Sequence, residues 1–313
     1  MSKTPTADRL LAATRSVMLT FDGIPGDPVN VGDPARVSPA HAREIVRRYV
    51  RHGFAVCRLD ADGATSTGIL AFARSLCLGR PFLPPLYTKG GATAPQVSRI
   101  SATHNTGTAD ADHPSFGTTA GQALHADGTL QDIGFIRSTL LLCAQPAAEG
   151  GDTILFNALG AFAELAETDL AAASALTVPG TLVRTANING CTDSNAGPAF
   201  AVQDGKLIGR YSVTATDSWQ APDGVAAAHL HRGVGFLATA SRPGSRYFTR
   251  LRLDGGDVIL FDNTRLSHGR TPYRDAASRR RLMFRSLHLR HPRIRVFVSD
   301  VTTNGAAAAV QGG

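Results

Sequence analysis

The spacing of hydrophobic residues predicts helices and a strand in the first part of the chain. In residues 38–52 apolar side chains recur every three or four positions, which is typical of one buried helical face. Ser38 can cap the start of this helix and Gly53 ends it. A short apolar run at 54–57 then predicts a strand, and residues 65–77 predict a second helix.

From residue 138 onward, short apolar runs alternate with glycine-rich turns, a pattern typical of antiparallel strands. We expect strands at 96–101, 138–143, 153–156, 181–186, 206–213, 247–253, 258–261, 281–289 and 295–298. Helical patterns lie between them at 158–170 and 225–239. Many short strands of this kind predict an α+β fold, mainly β, in which a double-stranded β-helix (jelly roll) carries flanking helices.

The length of 313 residues allows one large domain or two small ones, and no internal repeat is visible. We interpret residues 1–300 as a single domain and expect residues 301–313 to be a disordered tail. Residues 84–122 are rich in proline, glycine and threonine. A long irregular stretch inside a compact domain is often functional, so we expect it to act as a lid.

Composition restricts the class of protein. Hydrophobic residues make up 43% of the chain and charged residues 18%, as in soluble enzymes. The sequence contains no run of 18 apolar residues, which is the length that would predict a membrane span. The N-terminus lacks the features of a secretory signal. The four cysteines lie far apart without a CxxC pair, which excludes a cysteine zinc site and indicates reduced thiols in the cytoplasm.

The net charge of +7 is carried almost entirely by arginine. Of the 32 basic residues only three are lysines, and 15 of the 29 arginines follow position 231. Clustered arginines are compatible with a nucleic-acid face or with a pocket for anionic small molecules. Composition alone does not decide between the two.

The first candidate for chemistry is the pair His125 and Asp127, the only H-x-D in the chain. On a strand, residues i and i+2 point to the same face, so the imidazole and the carboxylate would converge. This geometry suits two of the three ligands in a two-histidine, one-carboxylate facial triad, which leaves open positions on iron. An exposed polar turn is the alternative interpretation of the pair alone.

A third ligand is available later in the chain. A glycine turn at 255–256 leads into an apolar strand, and the short loop that follows presents His268. A metal held between two strands requires such a distant ligand, although a single histidine after a strand is more often a surface residue.

Arginines alternate with apolar residues in a later strand. Arg281, Met283 and Arg285 share one face of this predicted strand, and Leu282 and Phe284 lie on the other. An unpaired buried guanidinium is costly, so this pattern predicts a buried anion. A basic surface stripe is the alternative.

In their order along the chain, the segments LHADGTL, GGDTILF, GGDVILFDNTRLSHGR and RRRLMFRSL resemble a known family between residues 38 and 290. This is the TauD/TfdA (taurine dioxygenase-like, clavaminate synthase-like) family of Fe(II)- and 2-oxoglutarate-dependent oxygenases. The resemblance implies that Fe(II) is bound by His125, Asp127 and His268. Retention of Asp127 argues against a halogenase, because halogenating relatives lack this carboxylate.

The resemblance also implies roles for three further residues. Arg281 would hold the distal carboxylate of 2-oxoglutarate, and Thr153 would offer that carboxylate a hydroxyl. Arg285 occupies a place where relatives often bind an anionic group of the substrate. The tryptophan usual before the first histidine is Leu124 here, so no particular substrate such as taurine is implied.

The function expected from the resemblance is oxidation, first of all hydroxylation, of a small anionic or zwitterionic metabolite, with O₂ consumed and succinate and CO₂ released. The substrate would carry a carboxylate, sulfonate or phosphate. The same oxidant could serve desaturation, epoxidation or cyclisation in natural-product biosynthesis. Alternatives from other classes are an arginine-rich nucleic-acid-binding protein, an inactive jelly-roll binding protein and a zinc hydrolase. We expect neither a nucleic-acid nor a membrane partner, and a homo-oligomer stays open.

Overall fold

Six α-helices flank two main β-sheets in the computed structural model, which describes residues 4–15, 17, 20–91, 95–102, 116–188 and 190–294. The helices are α1 (Ala7–Thr14), α2 (Pro39–His52), α3 (Ser66–Ser75), α4 (Ala158–Thr168), α5 (Leu170–Ala175) and α6 (Ala227–Ala240). Two 3₁₀ turns occur in the chain: Ala61–Gly63 precedes α3, and Pro85–Gly91 follows it. No helix among the described residues is both long and apolar enough to cross a membrane.

The strands are short, as the alternation of apolar runs and turns predicts. They are β1 (Val29–Gly32), β2 (Phe54–Leu59), β3 (Ser98–Ile100), β4 (Gln122–His125), β5 (Ser138–Gln145), β6 (Glu149–Gly150), β7 (Thr153–Phe156), β8 (Leu182–Thr185) and β9 (Ser194–Gly197). They continue as β10 (Phe200–Gln203), β11 (Lys206–Gly209), β12 (Asp217–Trp219), β13 (Phe248–Leu251), β14 (Asp257–Asp262), β15 (Ser267–Arg270), β16 (Tyr273–Arg274) and β17 (Leu282–His288).

Two sheets build the centre of the molecule. The larger has the order β1-β2-β14-β5-β17-β3 and the smaller has the order β13-β7-β15-β4. Neighbouring strands are antiparallel in both sheets, except that β1 pairs with β2 in parallel. A three-stranded sheet, β12-β8-β9, and the two strand pairs β10-β11 and β16-β6 lie beside them. The fold is therefore mixed α and β with antiparallel sheets.

Alternate residues of the central strands belong to two different hydrophobic clusters. In β14, Val258 and Leu260 pack in the cluster that contains α2 and α3. Ile259 and Phe261 belong to the cluster that also contains Leu155 of β7, from the smaller sheet. The period of two along a strand thus directs one set of side chains toward the helices and the other toward the space between the sheets. That space holds the polar site described below.

Several local predictions are confirmed. The Ser38 hydroxyl accepts a hydrogen bond from the N–H of His41 at 3.1 Å, and α2 starts at Pro39. Gly53 ends α2 with φ of +81°, a conformation that glycine adopts without strain. Likewise, the Thr65 hydroxyl accepts from the N–H of Gly68 and caps α3.

Other boundaries differ from the predictions. The helix expected over 158–170 ends at Thr168, where Asp169 caps a second helix, α5, by accepting from the N–H of Ala172. The strand expected over 206–213 ends at Gly209. The strand predicted at 295–298, the tail at 301–313 and residues 92–94 and 103–115 of the expected lid lie outside the described residues.

Candidate active site

The fold brings His125, Asp127 and His268 together in the space between the two main sheets. One ligand atom from each lies within 4.8 Å of the others, and all three side chains are buried. His125 and His268 are register partners on the adjacent strands β4 and β15, and their ring centroids are 4.2 Å apart. The Nε2 atom of His268 lies 3.8 Å from Oδ2 of Asp127.

The convergence of His125 and Asp127 does not come from a shared strand, so that part of the prediction is wrong. Strand β4 ends at His125, and Asp127 lies in the bend that follows. The side chain of Asn263 holds this bend: its Oδ1 accepts from the N–H of Asp127 at 2.7 Å, and its Nδ2 donates to the carbonyl of Asp127 at 3.1 Å. The bend that carries the Asp127 carboxylate is thus held by a residue 136 positions later in the sequence.

Two donors fix the carboxylate of Asp127. The Thr139 hydroxyl on β5 donates to Oδ2 at 2.7 Å, and Nη1 of Arg285 on β17 donates to Oδ1 at 2.7 Å. Burial on its own would raise the pKa of Asp127, but the nearby Arg285 guanidinium and the hydrogen bond from Thr139 bring it well below its usual range. Asp127 is therefore an oriented anion.

Both histidines are neutral in this environment. Burial lowers the pKa of His268 to about 3, with a further contribution from the neighbouring His125. Burial also lowers the pKa of His125, against the opposing effect of Asp127. The Nδ1 atom of His125 lies 3.0 Å from the carbonyl oxygen of Ala123, to which it must donate, so Nε2 carries the lone pair. Two neutral imidazoles and one carboxylate form a donor set that fits Fe(II).

A small cavity of about 30 Å³ adjoins His268 and is lined by Thr153, Arg270 and Arg281. The side chain of Arg281 is 5% exposed, and its Nη1 atom is buried with no hydrogen-bond partner among the described residues. The guanidinium lies over the ring of Tyr273, 5.2 Å from the ring centroid. A buried cation with an unsatisfied donor is suited to binding an anion such as a carboxylate.

Gly151 permits this packing of Arg281. A Cβ atom at this position would lie 3.1 Å from Nε of Arg281 and 3.2 Å from Cβ of Tyr273, and the φ of Gly151 is +73°. Any side chain here would be strained and would press on the guanidinium. The GGDT turn therefore shapes the small cavity as well as placing Thr153.

A larger cavity of about 210 Å³ lies on the other side of the triad. His125, Asp127 and Arg285 line it, together with the neutral polar residues Thr129, Gln131, Thr185, Asn187, Thr214 and Thr216. Gln122 and Arg285 line both cavities, and the amide nitrogen of Gln122 is 3.4 Å from Nε2 of His125. The two cavities therefore meet at the three candidate ligands.

Arg285 is in the interior, as the alternation in its strand predicts. It is 6% exposed and donates to Asp127 through Nη1 and to the Tyr87 hydroxyl through Nη2 at 2.8 Å. In the same segment, Arg279 and Arg280 are exposed. Arg281 and Arg285, the two arginines that alternate with apolar residues, are buried. They therefore do not belong to a basic surface stripe of the kind that a nucleic-acid face would need.

Four residues that shape this site are not predicted from the sequence: Thr139, Asn263, Tyr87 and Arg184. Asn263 follows the apolar strand in the segment DNTRLSHGR, and that motif could have identified it. Thr139 and Arg184 lie in ordinary strand sequence, and Tyr87 lies in the 3₁₀ turn Pro85–Gly91 within the expected lid, where no motif marks it individually.

Comparison with known proteins shows which family this chain is similar to. The family model described as "Taurine catabolism dioxygenase TauD, TfdA family" matches residues 18–287. A uridine-5'-phosphate dioxygenase from Amycolatopsis sp is 40% identical over 270 residues, covering 83% of this chain and 96% of that protein. A uridine-5'-phosphate dioxygenase from Streptomyces sp is 33% identical over 263 residues, covering 82% and 92%.

Among solved structures, a taurine dioxygenase from Burkholderia xenovorans has a similar fold. Its TM-score is 0.52 at 17% sequence identity, over 84% of this chain and 88% of that chain.

Proposed function

The chain belongs to the TauD/TfdA family of Fe(II)- and 2-oxoglutarate-dependent dioxygenases, and on this premise we propose that it oxidises uridine-5'-phosphate. The observation that supports this substrate is the place of Arg285, inside the larger cavity and next to the three candidate ligands. An arginine there can bind a phosphate group beside the reacting centre. The two relatives named for this nucleotide match more than four fifths of the chain.

We assign the binding of Fe(II) to His125, Asp127 and His268. Two neutral imidazoles and one oriented carboxylate would hold the metal where the two cavities meet. When bound, Fe(II) supplies the oxidative decarboxylation of 2-oxoglutarate by O₂ to succinate and CO₂, coupled to oxidation of the substrate. The protein orients the ligands: Thr139 and Arg285 fix the carboxylate, and Asn263 fixes the bend that carries it.

The smaller cavity would take the distal carboxylate end of 2-oxoglutarate, because about 30 Å³ has room for that group and not for the whole molecule. Arg281 offers its buried Nη1 to the distal carboxylate, and Thr153 lines the same cavity. The interior between the sheets keeps water from this ion pair, which strengthens it. His268 lines this cavity as well, so a molecule held by Arg281 lies next to the proposed metal.

The larger cavity would take the nucleotide. Arg285 is bonded to the proposed ligand Asp127 and to Tyr87, so a phosphate that it binds is fixed relative to the metal site. The neutral polar residues of the wall suit an uncharged base and a ribose, because neither needs a charged partner.

At the level of the whole fold, we propose that the six-stranded and four-stranded sheets are the two halves of a double-stranded β-helix. Residues 1–300 would form one domain, and the enzyme would act on its small-molecule substrate in the cytoplasm. Ile259, Phe261 and Leu155, which pack between the two sheets, support the first of these proposals.

The proposed function is tested by measuring succinate formed from 2-oxoglutarate in the presence of Fe(II), ascorbate and O₂. We expect uridine-5'-phosphate to stimulate succinate formation at least about tenfold, which corresponds to about 1.4 kcal/mol. Uridine and inorganic phosphate, alone or together, are the matched controls because each lacks half of the nucleotide. Equal stimulation by uridine would contradict the role of the phosphate, and no stimulation by the nucleotide would contradict the proposed substrate.

Arg285→Ala is expected to raise the KM for uridine-5'-phosphate at least about tenfold, because a charged hydrogen-bonded pair in a buried site is lost. At saturating Fe(II), slow decay of 2-oxoglutarate without substrate should largely continue, since Arg281 is unchanged and Thr139 still holds Asp127. Arg280→Ala removes the same charge from an exposed position and should leave the KM unaltered. If Arg285 served Asp127 alone, the variant would lose iron affinity while the KM for the nucleotide stayed the same.

Gly151→Ala is expected to raise the concentration of 2-oxoglutarate needed for half-maximal rate by about tenfold. The new methyl group would displace the guanidinium of Arg281 by the contacts described above. Gly205→Ala is the control, because Gly205 also has a positive φ but a Cβ there meets no atom within 4 Å. The measurement is the 2-oxoglutarate titration of both variants, and equal curves would contradict the prediction.

A further inference from the structure

We propose that Arg184 is a positioning residue that holds the ligand segment, defined as residues 125–127, in the geometry needed for metal binding. The proposal rests on the ligand set assigned above. Arg184 lies on β8, outside the two main sheets, and it is not a candidate ligand itself. Its Nη1 atom donates to the carbonyl oxygen of Ala126 at 2.9 Å, across 58 residues of sequence.

This contact falls at the centre of the ligand segment. Ala126 is the residue between the two proposed ligands His125 and Asp127, and β4 has already ended there. No strand pairing therefore fixes the carbonyl of Ala126. Asn263 accepts a hydrogen bond from the N–H of Asp127, and Arg184 on β8 donates one to the carbonyl of Ala126. Together they determine the path of the bend.

The guanidinium is itself held rigidly. Its Nε donates to Oδ1 of Asp217 on β12 at 3.3 Å, and the two side chains are 2% and 1% exposed. The other oxygen of Asp217 accepts from the Ser212 hydroxyl at 2.5 Å and from the N–H and hydroxyl of Thr214 at 2.8 and 2.7 Å. These hydrogen bonds restrain the carboxylate of Asp217, and the buried Asp217 in turn restrains the guanidinium that contacts Ala126.

The same pair also joins the ligand segment to the wall of the larger cavity. Arg184, Thr185 and residues 214–216 line that cavity, and the N–H of Thr185 donates to the carbonyl of Thr216 at 3.2 Å. Arg184 therefore stands between the wall and the segment that presents the proposed ligands.

The test compares Fe(II) affinity in the full chain, measured anaerobically by calorimetry, for wild type, Arg184→Gln and Arg210→Gln. Arg210 is a matched control: it is 4% exposed, and its side chain donates to residues 131, 182, 195 and 198 but not to the ligand segment. Both substitutions remove a buried arginine and should lower the melting temperature. We expect only Arg184→Gln to weaken Fe(II) binding, by about tenfold or more.

A second readout is the visible band of the anaerobic complex with Fe(II) and 2-oxoglutarate, which reports the arrangement of the ligands. We expect Arg184→Gln to shift this band and Arg210→Gln to leave it in place. Wild-type affinity and an unshifted band in Arg184→Gln, or equal losses in the two variants, would overturn the proposal. Failure of the wild-type protein to bind Fe(II) would instead overturn the proposed ligand set.

If Arg184→Gln does not fold, Arg184→Lys decides the question. Lysine keeps the charge next to Asp217 but lacks the planar fork that reaches Asp217 and Ala126 together. A fall in Fe(II) affinity of about threefold or more supports the proposal, and affinity within about twofold of wild type overturns it.

Discussion

His268→Ala is expected to abolish Fe(II) binding at the site and to reduce 2-oxoglutarate turnover by about a thousandfold or more, equivalent to about 4 kcal/mol. His268 is 4% exposed, and only His125 and Asp127 lie beside it as further ligands in the described part of the chain. Two ligands do not complete a facial triad, and the buried neighbours offer no replacement. Calorimetry with Fe(II) under anaerobic conditions measures the first effect, and succinate formation measures the second.

His231→Ala is the control for this experiment, because His231 is exposed on α6. It should retain both iron affinity and turnover. Full iron affinity in His268→Ala would show that the three residues are not the metal site, whatever the variant's activity.

Arg281→Ala is expected to raise the 2-oxoglutarate requirement by at least about tenfold. Truncating one partner of a buried charged pair costs roughly 2–5 kcal/mol. Arg281 has a buried Nη1 without a partner among the described residues, so the variant would lose the hydrogen bond to the co-substrate as well as the contact with the Tyr273 ring. Titration of 2-oxoglutarate at saturating Fe(II) gives the measurement.

Arg279→Ala provides the comparison for Arg281→Ala. Arg279 lies two residues earlier but is exposed, and its side chain donates only a long bond of 3.4 Å to the carbonyl of Ala148. We expect its titration curve to match that of the wild type. An impaired Arg279→Ala together with a normal Arg281→Ala would move the co-substrate arginine by two positions.

Local signals in the sequence predicted the elements that local physics determines. The cap at Ser38 and the left-handed Gly53 act within one turn of α2, so residues 38–53 are sufficient to locate the helix. The alternation in β17 has the same character: Met283 and Arg285 line the small cavity, and Phe284 packs against the cluster with α2 and α3.

The failure at Asp127 has the opposite cause. Its position depends on Asn263 and Thr139, which reach it through the tertiary fold and not through the strand period. The rule that residues i and i+2 of a strand share a face therefore predicted that His125 and Asp127 converge, although the two residues do not lie on one strand. No window of sequence around His125 contains the groups that end β4 and turn the chain.

Residues that act only through long-range contacts were not predictable at all. Arg184 lies in a short strand whose neighbours are ordinary, and its role depends on Asp217 and on the carbonyl of Ala126. Tyr87 meets Arg285 across 198 residues. A resemblance based on short motifs does not include such partners, because they stand outside the motifs.

One anaerobic titration tests the central claim most directly, because it involves the metal ligands, the co-substrate arginine and the substrate cavity together. Fe(II) and 2-oxoglutarate are added to the wild-type protein, followed by uridine-5'-phosphate, and the visible spectrum is recorded. We predict a weak charge-transfer band that reaches its full height at one Fe(II) per chain. Added uridine-5'-phosphate should change this band until the change saturates, and uridine should leave the band unchanged. No band, or a band that the nucleotide leaves unchanged at every concentration, would contradict the account.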